Sequence, residues 1–128
     1  MAAAKQTINK LLTELEKKYD KPRVDAVKEA VKFDAGKPPL GLISRIALLE
    51  EAKVMQFGVE KYGTHNWRGG MGFSRLIDAT LRHVYAFADG EDLDKETQLS
   101  HLAHARCCLA FLLEYQGKKI GTDDRYGR

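Results

Sequence analysis

The chain has 128 residues, of which 44% are hydrophobic and 30% charged, and its formal net charge is +3. This length and composition are typical of one small globular domain, and the scattered basic residues form no stripe of the kind that binds nucleic acid. No apolar run approaches the ~20 residues of a membrane span and the N-terminus lacks the apolar core of a secretory signal, so we expect a cytoplasmic protein without a membrane partner.

The N-terminal part of the chain predicts helical structure. Thr7 can cap a helix whose apolar residues recur at helical spacing until Pro22 ends it. Residues 24–31 form a second, short amphipathic stretch. The sequence FDAGKPPLG that follows contains two glycines and two prolines, which indicates a loop.

Three longer helices are predicted in the rest of the chain. The first covers residues 44–62 and is followed by the glycine-rich loop GTHNWRGGMG, after which Ser74 caps the next helix. The last helix is expected to begin near Asp94 or Thr97 and to end with Gly117 as its left-handed cap. No segment alternates with period two, so the predicted fold is all-α, a helical bundle of about four main helices.

The last helix is apolar around most of its circumference, which indicates either a central position in the bundle or a subunit interface. It contains the two cysteines, Cys107 and Cys108. Neighbouring helical positions point about 100° apart, so a disulfide between them is geometrically poor. Both are expected to be small buried hydrophobes in a reducing compartment.

Carboxylates that could hold a metal occur in two places. Glu50 and Glu51 lie on the first long helix, where such a pair is commonly a solvated surface feature. The stretch GEDLDKETQLSHLAHA brings Glu91, Asp94 and Glu96 close together in sequence. Mg²⁺ prefers such oxygen ligands, whereas acids at a helix start also stabilise the helix, so this stretch fits either a metal site or a helix cap.

Three histidines could contribute to a polar site. His83 lies at the edge of the core face of its helix and can be either a satisfied core group or a catalytic one. His101 and His104 are spaced so that they share a helix face, but no CxxC or HExxH motif completes a zinc site. We expect these histidines to line a pocket, where they contact phosphate or orient water.

Basic and aromatic residues supply possible substrate contacts. Lys37 stands in a flexible glycine-containing loop that could close over phosphates, and Lys61 and Arg82 lie on the predicted helices. Asn66 and Trp67 could hydrogen-bond to and stack on a base. Trp67 could equally plug the end of the bundle.

Taken in order, four motifs resemble a known family. KFDAGKPPLGLI, EEAKVMQFGVEKYGTHNWRGG, LIDATLRHVYAFADGED and DKETQLSHLAHA are similar to the dATP/dGTP diphosphohydrolases, which are often phage-encoded. That family belongs with the MazG-like all-α nucleotide pyrophosphohydrolases and includes the MazZ enzymes. The resemblance covers roughly residues 32–125, so we assign residues 1–31 to an N-terminal helical extension and residues 32–128 to the pyrophosphohydrolase domain.

The resemblance implies hydrolysis of dGTP or dATP to the monophosphate and pyrophosphate, dependent on Mg²⁺ or Mn²⁺. It implies a homodimer or homotetramer, in the host cytoplasm if the protein is phage-encoded. Related enzymes hold their metals with carboxylates from two helices, in patterns written EExxE and ExxD. The alternative is a catalytically inactive adaptor that binds nucleotide or protein.

This sequence departs from the family pattern at two positions. Val54 stands where EExxE has its third acid, and Gln98 stands where the family has a glycine, so the loop before the last helix is expected to differ. Under the resemblance we assign metal binding to Glu50, Glu91 and Asp94, catalysis to Glu51, Glu96 and His83, and substrate binding to Lys37, Lys61, Asn66, Trp67, Arg82, His101 and His104.

Overall fold

The structure, a computed structural model, describes residues 2–19 and 29–128. These residues form no sheet, only two isolated β-bridges, and no helix among them is long and apolar enough to cross a membrane. The predicted all-α fold with about four main helices is confirmed. The described helices are α1 (Ala2–Tyr19), α2 (Arg45–Tyr62), α3 (Phe73–Ala88) and α4 (His101–Lys118), with short 3₁₀ turns at Leu40–Leu42 and Asn66–Gly69.

The chain divides into two compact units, Met1–Leu40 and Gly41–Arg128. In the first unit α1 begins before Thr7, whose hydroxyl donates to the carbonyl of Ala3 inside the helix instead of capping its start. The amphipathic stretch predicted over residues 24–31 falls mostly outside the described residues, and residues 29–31 are not helical. The proposed division after residue 31 stays a prediction.

In the second unit α4 lies between α2 and α3 and packs against both. This confirms the central position, which was one of the two interpretations of the apolar circumference of α4. Val54 on α2 and Leu76 and Thr80 on α3 are buried against this arrangement. The buried residues of α4 are His101, Ala103, Ala105, Cys107 and Tyr115.

The predicted N-terminal cap is confirmed for α2 and wrong for α3. Ser44 caps α2 as expected, since its Oγ accepts from the N–H of Ala47 at 3.1 Å. The predicted cap of α3 was wrong, because Gly72 occupies the cap position and Ser74 lies inside the helix. The Ser74 side chain instead donates to a carboxylate from the C-terminal segment.

Both predicted ends of α4 were wrong. The helix begins at His101, with Ser100 as its cap, because Asp94 uses its carboxylate in a separate turn before the helix. Gly117 lies inside the last helical turn. Lys119 takes the left-handed cap conformation at φ 56°.

Candidate functional site

The segment between α3 and α4 folds around the side chain of Asp94. Its Oδ1 accepts from the backbone N–H groups of Glu96 and Thr97, both at 2.9 Å. The backbone N–H of Asp94 donates to the carbonyl of Leu99 at 2.8 Å. These bonds fix the orientation of the carboxylate, and its second oxygen, Oδ2, lies 4.0 Å from Nδ1 of His83.

Two histidines from different helices complete a compact group with this carboxylate. One ligand atom each from His83, Asp94 and His101 lie within 4.8 Å of one another, and we call these three residues the His–Asp cluster. Nδ1 of His83 on α3 is 2.8 Å from Nδ1 of His101 at the start of α4. His101 is only 4% exposed, and its Nε2 lies 3.3 Å from Oε1 of Glu91, without the alignment of a hydrogen bond.

His104 supports this group from the next turn of α4. Its ring stacks on that of His83, with centroids 4.5 Å apart and planes 7° apart. Its Nε2 is 2.7 Å from the hydroxyl oxygen of Thr97. The stack and the Thr97 contact together hold the ring of His83 in place.

The electrostatics around Asp94 favour neutral imidazoles at His83 and His104 beside an ionised carboxylate. Burial lowers the pKa of His83, and the neighbouring imidazoles of His104 and His101 lower it further, against the opposing effect of Asp94. Burial likewise lowers the pKa of His104. Burial opposes ionisation of Asp94, but backbone N–H donors and the two histidines nearby outweigh it and lower its pKa. At neutral pH the nitrogen lone pairs are therefore available to a proton or a cation.

A cleft of about 640 Å³ opens beside the cluster, and His83, Asp94 and His104 line it. Its apolar part is formed by side chains such as Val54 and Phe111. Four basic side chains also line the cleft, which suits it to an anionic ligand that carries an apolar or aromatic portion. They are Lys61, Arg68, Arg75 and Arg82.

Trp67 lies at the edge of this cleft, next to Asn66 in the short 3₁₀ turn. Its ring stacks on Phe111 at a centroid distance of 4.3 Å, and the guanidinium of Arg68 lies 4.4 Å from the ring centroid. Its carbonyl accepts from the hydroxyl of Tyr115. The ring of Trp67 therefore packs against α4, which agrees with the role of a plug at the end of the bundle. Stacking of this ring on a base stays a prediction.

Three of the assigned residues lie apart from the cleft lining. Glu50 forms an exposed ion pair with Lys53 at 2.8 Å and lines a separate shallow groove on α2. Glu51 lies 4.0 Å from Arg106 of α4. Lys37 belongs to the first compact unit, whereas the cleft lies within the second.

The remaining assigned residues are brought together at or beside the cleft. Lys61 at the end of α2 donates to Glu96 at 3.1 Å, which links this helix to the segment before α4. Glu91 and His101 contact each other behind the cleft lining. The assigned residues that line the cleft are Lys61, Asn66, Trp67, Arg82, His83, Asp94, Glu96 and His104.

Sequence reasoning assigned no role to Arg68, Arg75 or Thr97, all of which line the cleft. A signal for Arg75 was available, because residues seven apart on a helix share a face and Arg75 precedes the assigned Arg82 by that interval. Arg68 stands directly after the assigned Asn66 and Trp67, which was the available signal for it, and it reaches the cleft from a 3₁₀ turn.

Fold and site together define a class, an all-α protein with a cleft lined by basic side chains beside a cluster of two histidines and a carboxylate. Within that class, the chain belongs to the family described as dATP/dGTP diphosphohydrolase, N-terminal, whose model matches residues 27–125. The family resemblance inferred from the four motifs is confirmed.

One relative shows how much of each chain the similarity covers. The chain is 42% identical over 95 residues to the dATP/dGTP diphosphohydrolase of Salmonella phage PMBT28. The match covers 74% of this chain but 32% of the relative, so the chain spans about a third of the relative's length. No solved structure matches the chain significantly.

Proposed function

We propose that this chain is a metal-dependent pyrophosphohydrolase that converts dGTP, dATP or both to the monophosphate and pyrophosphate. The observation that supports this most directly is the placement of four basic side chains in one cleft with Asp94 and His83. The cleft thus offers cations for a triphosphate and an apolar region for a base. The activity named for the phage relative is extended to this chain as part of the proposal, because the chain matches about a third of that relative.

The basic residues have the role of holding the phosphates. Arg82 and Arg75 reach the cleft from α3 and Lys61 from α2, so the cations come from two helices. Lys61 already bonds Glu96, so a phosphate oxygen would compete with that carboxylate for the ammonium group. Such exposed charge contacts are weak enough to be exchanged for a phosphate.

The donors of the His–Asp cluster and Glu91 fit a divalent cation. An oxygen of Asp94 and two imidazole nitrogens converge in the cluster. In addition, Nε2 of the buried His101 lacks a hydrogen bond. A divalent cation held there would neutralise charge on the phosphates and make a nearby water more acidic. His83 is neutral and borders the cleft. Bound to the cation through Nδ1 it would be a ligand, and its predicted catalytic role, accepting a proton from that water, is the alternative to ligation and is retained as a proposal. The predicted roles of Glu50 as a ligand and of Glu51 and Glu96 in catalysis are retained as proposals.

The experiment is a pyrophosphate assay with each of the four common dNTPs, in Mg²⁺ and separately in Mn²⁺. We expect pyrophosphate and monophosphate from dGTP or dATP, and orders of magnitude less from Asp94→Asn with an unchanged helical CD spectrum. Glu50→Gln tests the ligand assignment that was made from sequence alone. Full turnover in that variant would remove Glu50 from the metal site without affecting the rest of the proposal.

A second candidate is a catalytically inactive module that binds nucleotide or a protein. Two observations favour it, namely the position of Glu50 outside the cleft lining and Val54 at the position where EExxE has its third acid. Absence of pyrophosphate with every dNTP and both metals, with dNTP binding detected by calorimetry, would establish this candidate and exclude hydrolysis.

The predicted assembly and location belong to the same proposal. Exposed apolar side chains on α2 and α4, including Ile46 and Leu113, favour a homodimer or homotetramer. The host cytoplasm is the proposed compartment, because that is where the nucleotide substrates of a phage enzyme would be.

A further inference from the structure

The His–Asp cluster has a donor set that differs from the carboxylates expected for Mg²⁺. Mg²⁺ is bound mainly by oxygen, usually one or two carboxylates with water and phosphate. Here two of the three converging donors are imidazole nitrogens, those of His83 and His101. Imidazole suits the first-row transition metals, and two histidines with one carboxylate are a recurrent set for such ions with open positions.

We propose that His83, Asp94 and His101 bind one first-row transition-metal ion of the kind that accepts imidazole, such as Co²⁺ or Zn²⁺, in preference to Mg²⁺. The role of this ion rests on the proposed function, because the inference names the class of cation bound at the same site.

The two Nδ1 atoms of His83 and His101 are 2.8 Å apart and share one proton in a hydrogen bond. Two nitrogens at that separation can both lie about 2.1 Å from one ion, which would displace the shared proton. His83 and Asp94 line the cleft, so an ion held by the three residues would border the ligand space.

Glu91 supplies the support that metal-binding histidines commonly have. A histidine that binds a metal with one nitrogen usually directs its other N–H to a carboxylate, which fixes the tautomer. Nε2 of His101 lies 3.3 Å from Oε1 of Glu91, and Nδ1 of the same ring faces His83. No hydrogen bond joins Nε2 to this carboxylate. A proton on Nε2 would nevertheless face it and would leave the lone pair on Nδ1, inside the cluster.

The carboxylate of Asp94 is divided between a structural and a metal-facing oxygen. Oδ1 is held by the N–H groups of Glu96 and Thr97, and Oδ2 is the oxygen nearer His83. Asn at this position keeps an acceptor for the two N–H groups but replaces the second oxygen with an amide NH₂. Asp94→Asn is therefore a variant that tests metal binding with little disturbance of the turn.

The test uses the full chain after treatment with a chelator, titrated with Zn²⁺ or Mg²⁺ in a calorimeter and with Co²⁺ by visible absorption. We expect one Zn²⁺ per chain, not displaced by roughly a hundredfold excess of Mg²⁺, and a Co²⁺ spectrum typical of nitrogen ligands. Asp94→Asn and His83→Ala should each weaken Zn²⁺ binding by about tenfold or more. CD spectra of both metal-free variants establish that they are folded.

One variant serves as the control. His65→Asn removes a histidine outside the cluster, and Asn tolerates the left-handed φ of 62° there. It should bind Zn²⁺ as the unaltered chain does. Equal affinity for Mg²⁺ and Zn²⁺, or unchanged Zn²⁺ binding in both cluster variants, would overturn the inference.

The result can be separated from that of the pyrophosphate assay. Hydrolysis of dGTP or dATP without Zn²⁺ or Co²⁺ binding at the cluster would leave the proposed function intact and end this inference. Binding of Zn²⁺ or Co²⁺ at the cluster with no hydrolysis in any metal would support this inference and contradict the proposed function.

Discussion

At the scale of single residues, Gln98 occupies a backbone conformation that suits glycine. Its φ is 58°, in the left-handed region, which costs a residue with a Cβ roughly 1–2 kcal/mol. Glycine avoids that cost but gives up about 0.4–1 kcal/mol through the greater freedom of the unfolded chain. We expect Gln98→Gly to increase the free energy of unfolding by about 0.5–1 kcal/mol, measured by urea denaturation.

Gln98→Ala is the matched control, because alanine keeps the Cβ and loses only the side-chain amide that donates to the carbonyl of Lys95 at 3.0 Å. It should be no more stable than the unaltered chain. If Gln98→Gly is less stable than Gln98→Ala, backbone strain is not what distinguishes this position.

At the scale of elements, the N-terminus of α3 is capped from the far end of the chain. Asp124 accepts from the backbone N–H of Ser74 at 2.8 Å and from its hydroxyl at 2.6 Å. The backbone of Thr122 bonds Phe73 and Met71 on the same side. The C-terminal segment therefore completes the N-terminus of α3.

This cap predicts a dependence of stability on pH. The hydroxyl and N–H of Ser74 lower the pKa of Asp124, so the folded protein holds this proton less tightly than the unfolded chain. The contribution of Asp124 is therefore present above the unfolded pKa of about 3.9 and lost as pH falls through the lower folded value. Asp124→Asn should lower Tm by a few degrees at pH 7 and reduce the fall in Tm between neutral and acid pH.

Calorimetric melts at several pH values check this, with Asp78→Asn on the exposed face of α3 as the control. That variant should change Tm little at pH 7 and leave the acid dependence nearly unaltered. A parallel offset between Asp124→Asn and the unaltered chain at every pH would mean that the ionised form of Asp124 is not the stabilising species.

At the scale of the whole molecule, the second unit leaves large apolar side chains uncovered. Ile46 and Leu49 on α2 are 76% and 57% exposed, and Leu113 on α4 is 69% exposed. Within this unit α2 packs mainly against α4, and Val54 is its buried residue. Sedimentation velocity should show a dimer or tetramer, and Ile46→Glu should shift it towards monomer. A monomer at tens of micromolar would contradict the proposed assembly.

Helical periodicity by itself determined much of this protein. It determined that the fold is all-α, that α2 begins at Ser44 and that α4 is apolar on most sides, because these depend on residues close together in sequence. Both cysteines were expected to be buried. Cys107 is buried, which raises its pKa to about 12, whereas Cys108 is only half-buried. The four ordered motifs determined the family, since each combines residue types at fixed spacing.

Only the tertiary structure decided which candidate groups meet. From the sequence, Glu50, Glu91 and Asp94 were all assigned as metal ligands. The packing of α3 on α4 brings His83 and His101 to Asp94. Glu50 instead forms an ion pair with Lys53. The start of α4 at His101 is decided by bonds that Asp94 makes in the turn before it. The physical reason is that a helical repeat specifies the face on which a side chain lies, whereas distances between helices depend on how those faces pack and on the turns that join them.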